Sequence, residues 1–310
     1  MTSKRRQQIW EESYQVRRYL IDASDDELAQ RFKDILHNYH NITPEGKLGI
    51  NLDLEYLHKW LELLTHSFQE FNMRGGIPTG LVNQNDLPFI TYPEPPGGFN
   101  ILKGEELPTS KYLVKLGQQE HIRDLYEHGR IRIAPASSYS DPSLNSAIKD
   151  EELSFSSIGL KNEVKMALMD TDGKPKGEVE PIGNVTITTS VLDYYVYCMT
   201  NKYDYRLVDD FKVDSMIVIV DPDSFGKIFM NKIKERFGDY FTYMWVPVYY
   251  ADPYNINPEY YSVYFTKHFR YSYQHEYRFL MIPKTEKDIK FDPFFIELGS
   301  LSSIARFYSR

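Results

Sequence analysis

A chain of 310 residues is long enough for one large or two ordinary domains. Aromatic residues make up 15% of it and charged residues 26%, which excludes a disordered chain and demands a substantial core. The formal net charge of -8 excludes a generally basic, DNA-coating surface, although a local basic groove is compatible with it.

In chain order, the opening "MTSKRRQQIWEESYQ" is charged and has no apolar core behind it, so it does not read as a signal peptide. No apolar stretch is long enough to span a bilayer. The expectation is a soluble, cytoplasmic protein with no membrane partner. Residues 1–72 read as helical. In "SDDELAQRFKDILHNYH", Ser24 with Glu27 three positions later is a capping-box signal, and Leu28, Phe32, Ile35, Leu36 and Tyr39 recur at helical spacing. In "LDLEYLHKWLELLTHSFQEF", Leu57, Trp60, Leu61, Leu64, Phe68 and Phe71 form one broad apolar stripe, which must be buried against the chain or a partner. Residues 73–109, with "RGGIPTG" and "YPEPPGGFN", are dense in Gly and Pro and read as a linker or flap.

From residue 110 to 310 strands dominate. "KYLVKLG" reads as a strand, "QQEHIRDLYEHG" as a helix ended by Gly129, and "RIRIA" as an alternating strand leading into "PASSYSDP". "VTITTS", "YYVYCMT" and "SMIVIV" read as strands. "DPDSFGKIFMNKIKERFG" reads as a helix capped by Asp221 with Pro222 in its first turn. "TYMWVPVYY", "YYSVYFT" and "HEYRFLMI" complete the strands. Runs of strands with few long helices predict an α+β fold, not a doubly wound parallel one.

The chemistry-bearing residues are few. The chain has no Walker phosphate loop, no dinucleotide fingerprint, no H-E-x-x-H and no zinc spacing among its eight histidines, so no metal site is expected. Cys198, the single cysteine, rules out an intrachain disulfide, fits a reducing compartment and reads as a small core residue of its strand. "SYQHEYRFLMI" carries more information. Read as a strand, it places Gln274, Glu276, Arg278, Leu280 and Ile282 on one face and His275, Tyr277, Phe279 and Met281 on the other. Its second half is apolar on both faces, as a covered central strand is, and its first half sets a carboxylate where that strand surfaces. The plain reading of Glu276 and Arg278 is a same-face ion pair; the sharper one is the floor of a cleft.

These stretches resemble a large family of uncharacterised bacterial domains. The shared pattern is a strand, a helix ending in Gly, a second strand, a Ser-rich S-S-F-N-D-P loop (here "ASSYSDP", with Ser140 where Asn is usual), and a late Glu-aromatic-Arg strand, here Glu276-Tyr277-Arg278. "YVYCMT" matches a further strand, and the resemblance covers roughly residues 110–285. The layout is also similar to that of ADP-ribosyltransferases, whose late catalytic Glu is often preceded by Gln or Glu two positions earlier, as in Gln274-His275-Glu276. This chain departs from them in having Lys115 where Arg or His is usual and no clean Ser-Thr-Ser.

The resemblance implies an α+β domain of ADP-ribosyltransferase type that uses NAD as substrate. It implies Glu276 as catalytic carboxylate, with Gln274 orienting the nucleophile. Lys115, Ser137, Ser138, Tyr139 and Arg278 would contact NAD, with Tyr139 stacking on nicotinamide. The acceptor would be protein, RNA or DNA. Bacterial relatives of this layout include toxins and phage-defence effectors, so an antitoxin or regulatory protein docking on the helical stripe Leu57–Phe71 is a further expectation. Two alternatives stand beside it: a non-catalytic sensor or binding module on the same fold and, ranked lower, a nuclease.

Overall fold

The computed structural model describes residues 3–43, 45–50, 54–83, 95–257, 259, 261–285 and 289–310. The N-terminal part holds α1 (Ser3–Val16), α2 (Asp25–Tyr39), a short antiparallel pair β1 (His40–Ile42) and β2 (Leu48–Ile50), and α3 (Leu54–Met73). The capping box at α2 forms as expected: the Glu27 amide donates to the Ser24 hydroxyl, and the Glu27 side chain accepts from the Ser24 amide. The stripe expected as a docking face is occupied within the chain. Trp60, Leu64 and Phe71 are buried against Leu28, Phe32 and Ile35 of α2 and against Phe269. The buried face is also rotated toward Leu63, because α1 and α2 pack from both sides, and this leaves Phe68 38% exposed.

Part of the Gly/Pro-rich segment, residues 84–94, lies outside the described residues. Its C-terminal end forms α4 (Gly97–Leu102), whose Ile101 and Leu102 are buried. There follow β3 (Leu113–Gly117), α5 (Gln119–His128) and β4 (Arg130–Pro135). Gly129 ends α5 with φ of 67°, and a Cβ there would lie 2.3 Å from the Gly299 carbonyl, so only glycine fits. A projecting pair of ribbons comes next, β5 (Ser154–Gly159) with β8 (Val185–Ser190) and β6 (Met166–Met169) with β7 (Pro175–Val179). Then come β9 (Tyr195–Thr200), α6 (Leu207–Asp210), β10 (Ser215–Ile219) and α7 (Pro222–Phe237), the last capped by Asp221 accepting from the Ser224 amide. The chain ends through β11 (Phe241–Pro247), β12 (Tyr249–Ala251), β13 (Thr266–His268), β14 (Glu276–Pro283), β15 (Phe294–Glu297) and β16 (Ala305–Ser309).

The main sheet runs β11-β14-β9-β3-β10-β16, and every pair in it is antiparallel, as the α+β reading expects. Phe225, Phe229, Met230 and Ile233 of α7, with Ile122 and Leu125 of α5, cover one face and bury Tyr197, Ile217, Phe279 and Met281. On the other face Leu280 packs with Val196 and Tyr194, and Ile282 joins them. The alternation read from the sequence therefore holds from Glu276 onward.

The sheet branches at β9. The start of β9 pairs with β4 (Ala134 opposite Val196), while its end pairs with β3 (Val114 opposite Thr200). β4 then turns away to pair with β15. Two strands thus diverge from one edge of β9, and a pocket opens where they part.

Candidate functional site

The pocket encloses about 240 Å³ and draws its walls from distant parts of the chain. Lys115 comes from β3, Tyr139 from the turn after β4, Cys198 and Thr200 from β9, and Gln274 and Glu276 from the entry to β14. Glu276 stands opposite Thr200, the same residue that pairs with Val114, so the carboxylate sits level with the branch of the sheet.

Glu276 is 7% exposed. Its Oε1 accepts from Arg278 Nε at 2.7 Å and its Oε2 from Lys267 Nζ at 3.1 Å. Burial alone would raise the carboxyl, but the Arg278 guanidinium and the Lys267 ammonium outweigh it and hold Glu276 ionised, well below the usual carboxylate range. The expected ion pair is therefore present, and it is one edge of a larger cluster. Arg278 Nη2 also meets Glu152 Oε2 at 2.6 Å, and Lys267 lies 3.6 Å from Glu152 and 3.4 Å from Asp150. Burial, opposed by Arg278 and Lys267, pushes the Glu152 carboxyl up. Three carboxylates face two cations, and two carboxyls of one cluster are driven in opposite directions by their surroundings.

The other candidates divide. Lys115 lines the pocket, where its Nζ donates to the Cys198 carbonyl at 2.8 Å and lies 4.7 Å from the Tyr197 ring centroid. That bond spans the gap between β3 and β9 beyond their last ladder pair, and burial lowers the Lys115 pKa. Tyr139 lines the pocket too, its hydroxyl pushed well up by burial. Gln274 reaches the pocket by a different route from the expected one. It ends a 3₁₀ turn, Phe269–Gln274, and His275 takes the left-handed region with φ of 44° before β14 begins. The Gln274 amide donates to the Ala147 carbonyl at 2.7 Å and so pins the loop that forms the opposite wall.

Arg278 is not a wall residue. It is fully buried, with Nε and Nη2 on the Glu276 and Glu152 carboxylates and Nη1 donating to the Tyr264 carbonyl. Ser137 and Ser138 also miss the pocket. The 3₁₀ turn Ala136–Ser140 directs Ser137 Oγ to Asp193 at 2.6 Å and Ser138 Oγ to the Pro135 carbonyl at 2.7 Å, which leaves both as turn-stabilising residues.

The sequence reading missed Lys267 and Glu152. Lys267 directly follows "YYSVYFT", which reads as a strand; residues 263–265 instead form a 3₁₀ turn, and only Thr266–His268 join β12 in parallel. Glu152 lies in the acidic run "KDEE", indistinguishable from a solvated loop. Cys198 lines the pocket with its thiol raised by burial, which suits its reading as an unreactive small residue.

A second cleft of about 940 Å³ shares Ala147 with the first. The loop through Asn145 and Lys149 separates them, held by Asn145 Nδ2 to the Asp210 carbonyl and by Tyr271 to the Lys149 carbonyl. Lys33, Lys149, Lys212 and Arg270 line this cleft together with several carboxylates. No helix among the described residues is long and apolar enough to cross a membrane. Comparison of the chain with protein-family models, with curated proteins and with solved structures returns no match.

Proposed function

We propose that the chain is an ADP-ribosyltransferase that consumes NAD and modifies a macromolecule. The observation that carries this reading is the buried, ionised Glu276 on the wall of a pocket shared with Lys115, Tyr139 and Gln274. When the ribose–nicotinamide bond breaks, its electron pair leaves with the nicotinamide nitrogen and positive charge develops on the sugar. A fixed carboxylate beside the ribose lowers the energy of that charge, as in glycoside hydrolysis. The acceptor atom then bonds to the anomeric carbon and gives up its proton. Lys267 and Arg278 hold Glu276 in one orientation, so little reorganisation is needed at the moment of reaction. The first pocket has room for nicotinamide and part of its ribose. The larger cleft, with Lys149, Lys212 and Arg270, offers space and cations for the diphosphate-linked remainder. The chemistry is that of bacterial toxins and phage-defence effectors of the same layout.

A second reading has its own observation. Both Glu276 oxygens already have cationic partners, as in a carboxylate that serves structure, and this favours a binding module on the same fold. Incubating the purified protein with labelled NAD and a bacterial lysate separates the two. Transfer of label or release of nicotinamide by the wild type, lost in Glu276→Gln, supports the enzyme. Neither product from a well-folded wild type would leave the binding module.

A further inference from the structure

The ribbon β6–β7 projects from the body, and every residue of both strands is exposed. Its root is anchored, since Leu160 is buried in the helical core and Glu163 pairs with Arg17. Beyond that root the ribbon is amphipathic. The antiparallel register sets Met166 opposite Val179 and Leu168 opposite Gly177, and Met169 meets Pro175 after an irregularity. One face thus carries Met166, Leu168 and Val179, apolar and uncovered at 42%, 59% and 39% exposed, while Met169, the next residue of β6, turns to the other face. A two-stranded ribbon is marginal in water by itself, whereas three or more strands are stable.

The second observation is the sequence of β7 and its flanks, Lys174-Pro175-Lys176-Gly177-Glu178-Val179-Glu180. Its charges are opposite in sign about Gly177. If β7 pairs antiparallel with the same strand of a second copy, with Gly177 facing Gly177, Lys176 falls opposite Glu178 and Lys174 opposite Glu180, each pair occurring twice by symmetry. Opposite charges directly across an antiparallel pair are favourable, and a twofold contact must be self-complementary in this way. β7 pairs with β6 along one edge, and its other edge is the one available to a second copy.

We propose that the β6–β7 ribbon is a dimerisation arm whose occupant is the same ribbon of a second copy of this chain. Pairing through β7 joins the two ribbons into a four-stranded antiparallel sheet centred on Gly177, with the apolar side chains of both copies on one continuous face. Exposed ion pairs at the joint make the contact salt-sensitive.

Sedimentation equilibrium on the full chain tests this with three proteins. The wild type is expected to dimerise in the micromolar range. Lys174→Glu/Lys176→Glu and Glu178→Lys/Glu180→Lys each place like charges opposite one another and should weaken dimerisation by ~10-fold or more. Mixed in equal amounts, these two variants regain opposite charges at every position and should form a heterodimer at wild-type strength, a rescue that a merely structural role for the ribbon would not produce. A wild type that stays monomeric at high micromolar concentration would overturn the proposal. So would unaltered dimers of the two variants, or a mixture that fails to recover.

Discussion

Two buried carboxylates in this chain look alike in their partners and differ in what surrounds them. Glu70, on α3, is fully buried and accepts from the Tyr14 hydroxyl at 2.5 Å, Arg18 Nε at 2.8 Å and Arg74 Nε at 2.7 Å. Burial would raise it, but these donors hold it down at about 2. Glu276 is likewise held down by two cations. The cations of Glu70, however, reach solvent, with Arg18 33% and Arg74 21% exposed, whereas those of Glu276 are 4% exposed or less and are shared with Glu152. A half-exposed guanidinium rehydrates cheaply when its partner goes; a buried one does not. Glu276 also lines a pocket. The first arrangement staples helices, and the second fixes charges around a space.

The contrast is most strongly tested at Arg278. Arg278→Met leaves three carboxylates facing Lys267 alone and is expected to cost about 3–5 kcal/mol in chemical denaturation. Glu70→Gln should cost less, about 1–3 kcal/mol, because Arg18 and Arg74 can turn to water. A larger loss at Glu70 than at Arg278 would reverse the assignment of roles.

Acid sensitivity separates the regions further. His66 is pushed down to about 4, chiefly by burial, and its neutral form is satisfied: Nε2–H donates to the Trp10 carbonyl and Nδ1 accepts from the Tyr19 hydroxyl. His268 is also lowered to about 4, again chiefly by burial. Because the folded values lie below the unfolded one near 6.5, their contribution is complete above pH 6.5 and is lost as pH falls toward 4. Replacing either with Gln should flatten the decline in stability across that window by about 2 kcal/mol. Asp252, held at about 2 against burial by its bidentate partner Arg31, adds a loss only below pH ~4. The smallest expected effect is Ser24→Ala, about 1 kcal/mol from the capping box, read as a small drop in Tm with no change elsewhere.

How much of this was legible depended on how local the cause was. The capping box at Ser24, the Gly129 stop, the Asp221 cap and the strands at Val114, Cys198, Ile217 and Phe279 follow from neighbours in sequence. So did the face carrying Glu276, Arg278 and Leu280. Gln274 is misread as a strand residue, and Lys267 is passed over, because their segments are held by remote contacts. The Tyr273 amide donates to Asn38 Oδ1, Gln274 donates to Ala147, and the turn before β13 packs rings that would suit a strand equally well. Glu152 carried no signal at all, since only the fold shows that its acidic run enters a core.

The most direct measurement is nicotinamide release from NAD by Glu276→Gln and Glu70→Gln side by side, each with its melting temperature. Gln at position 276 leaves Asp150 and Glu152 against Lys267 and Arg278, so the charges still balance, but two buried cations each lose a partner and the variant should melt below the wild type; release is therefore read at a temperature where both variants remain folded. The proposed chemistry predicts that Glu276→Gln loses release by ~100-fold or more while Glu70→Gln, though less stable, keeps it. Equal activity in both variants would contradict the assignment of Glu276 as the catalytic carboxylate.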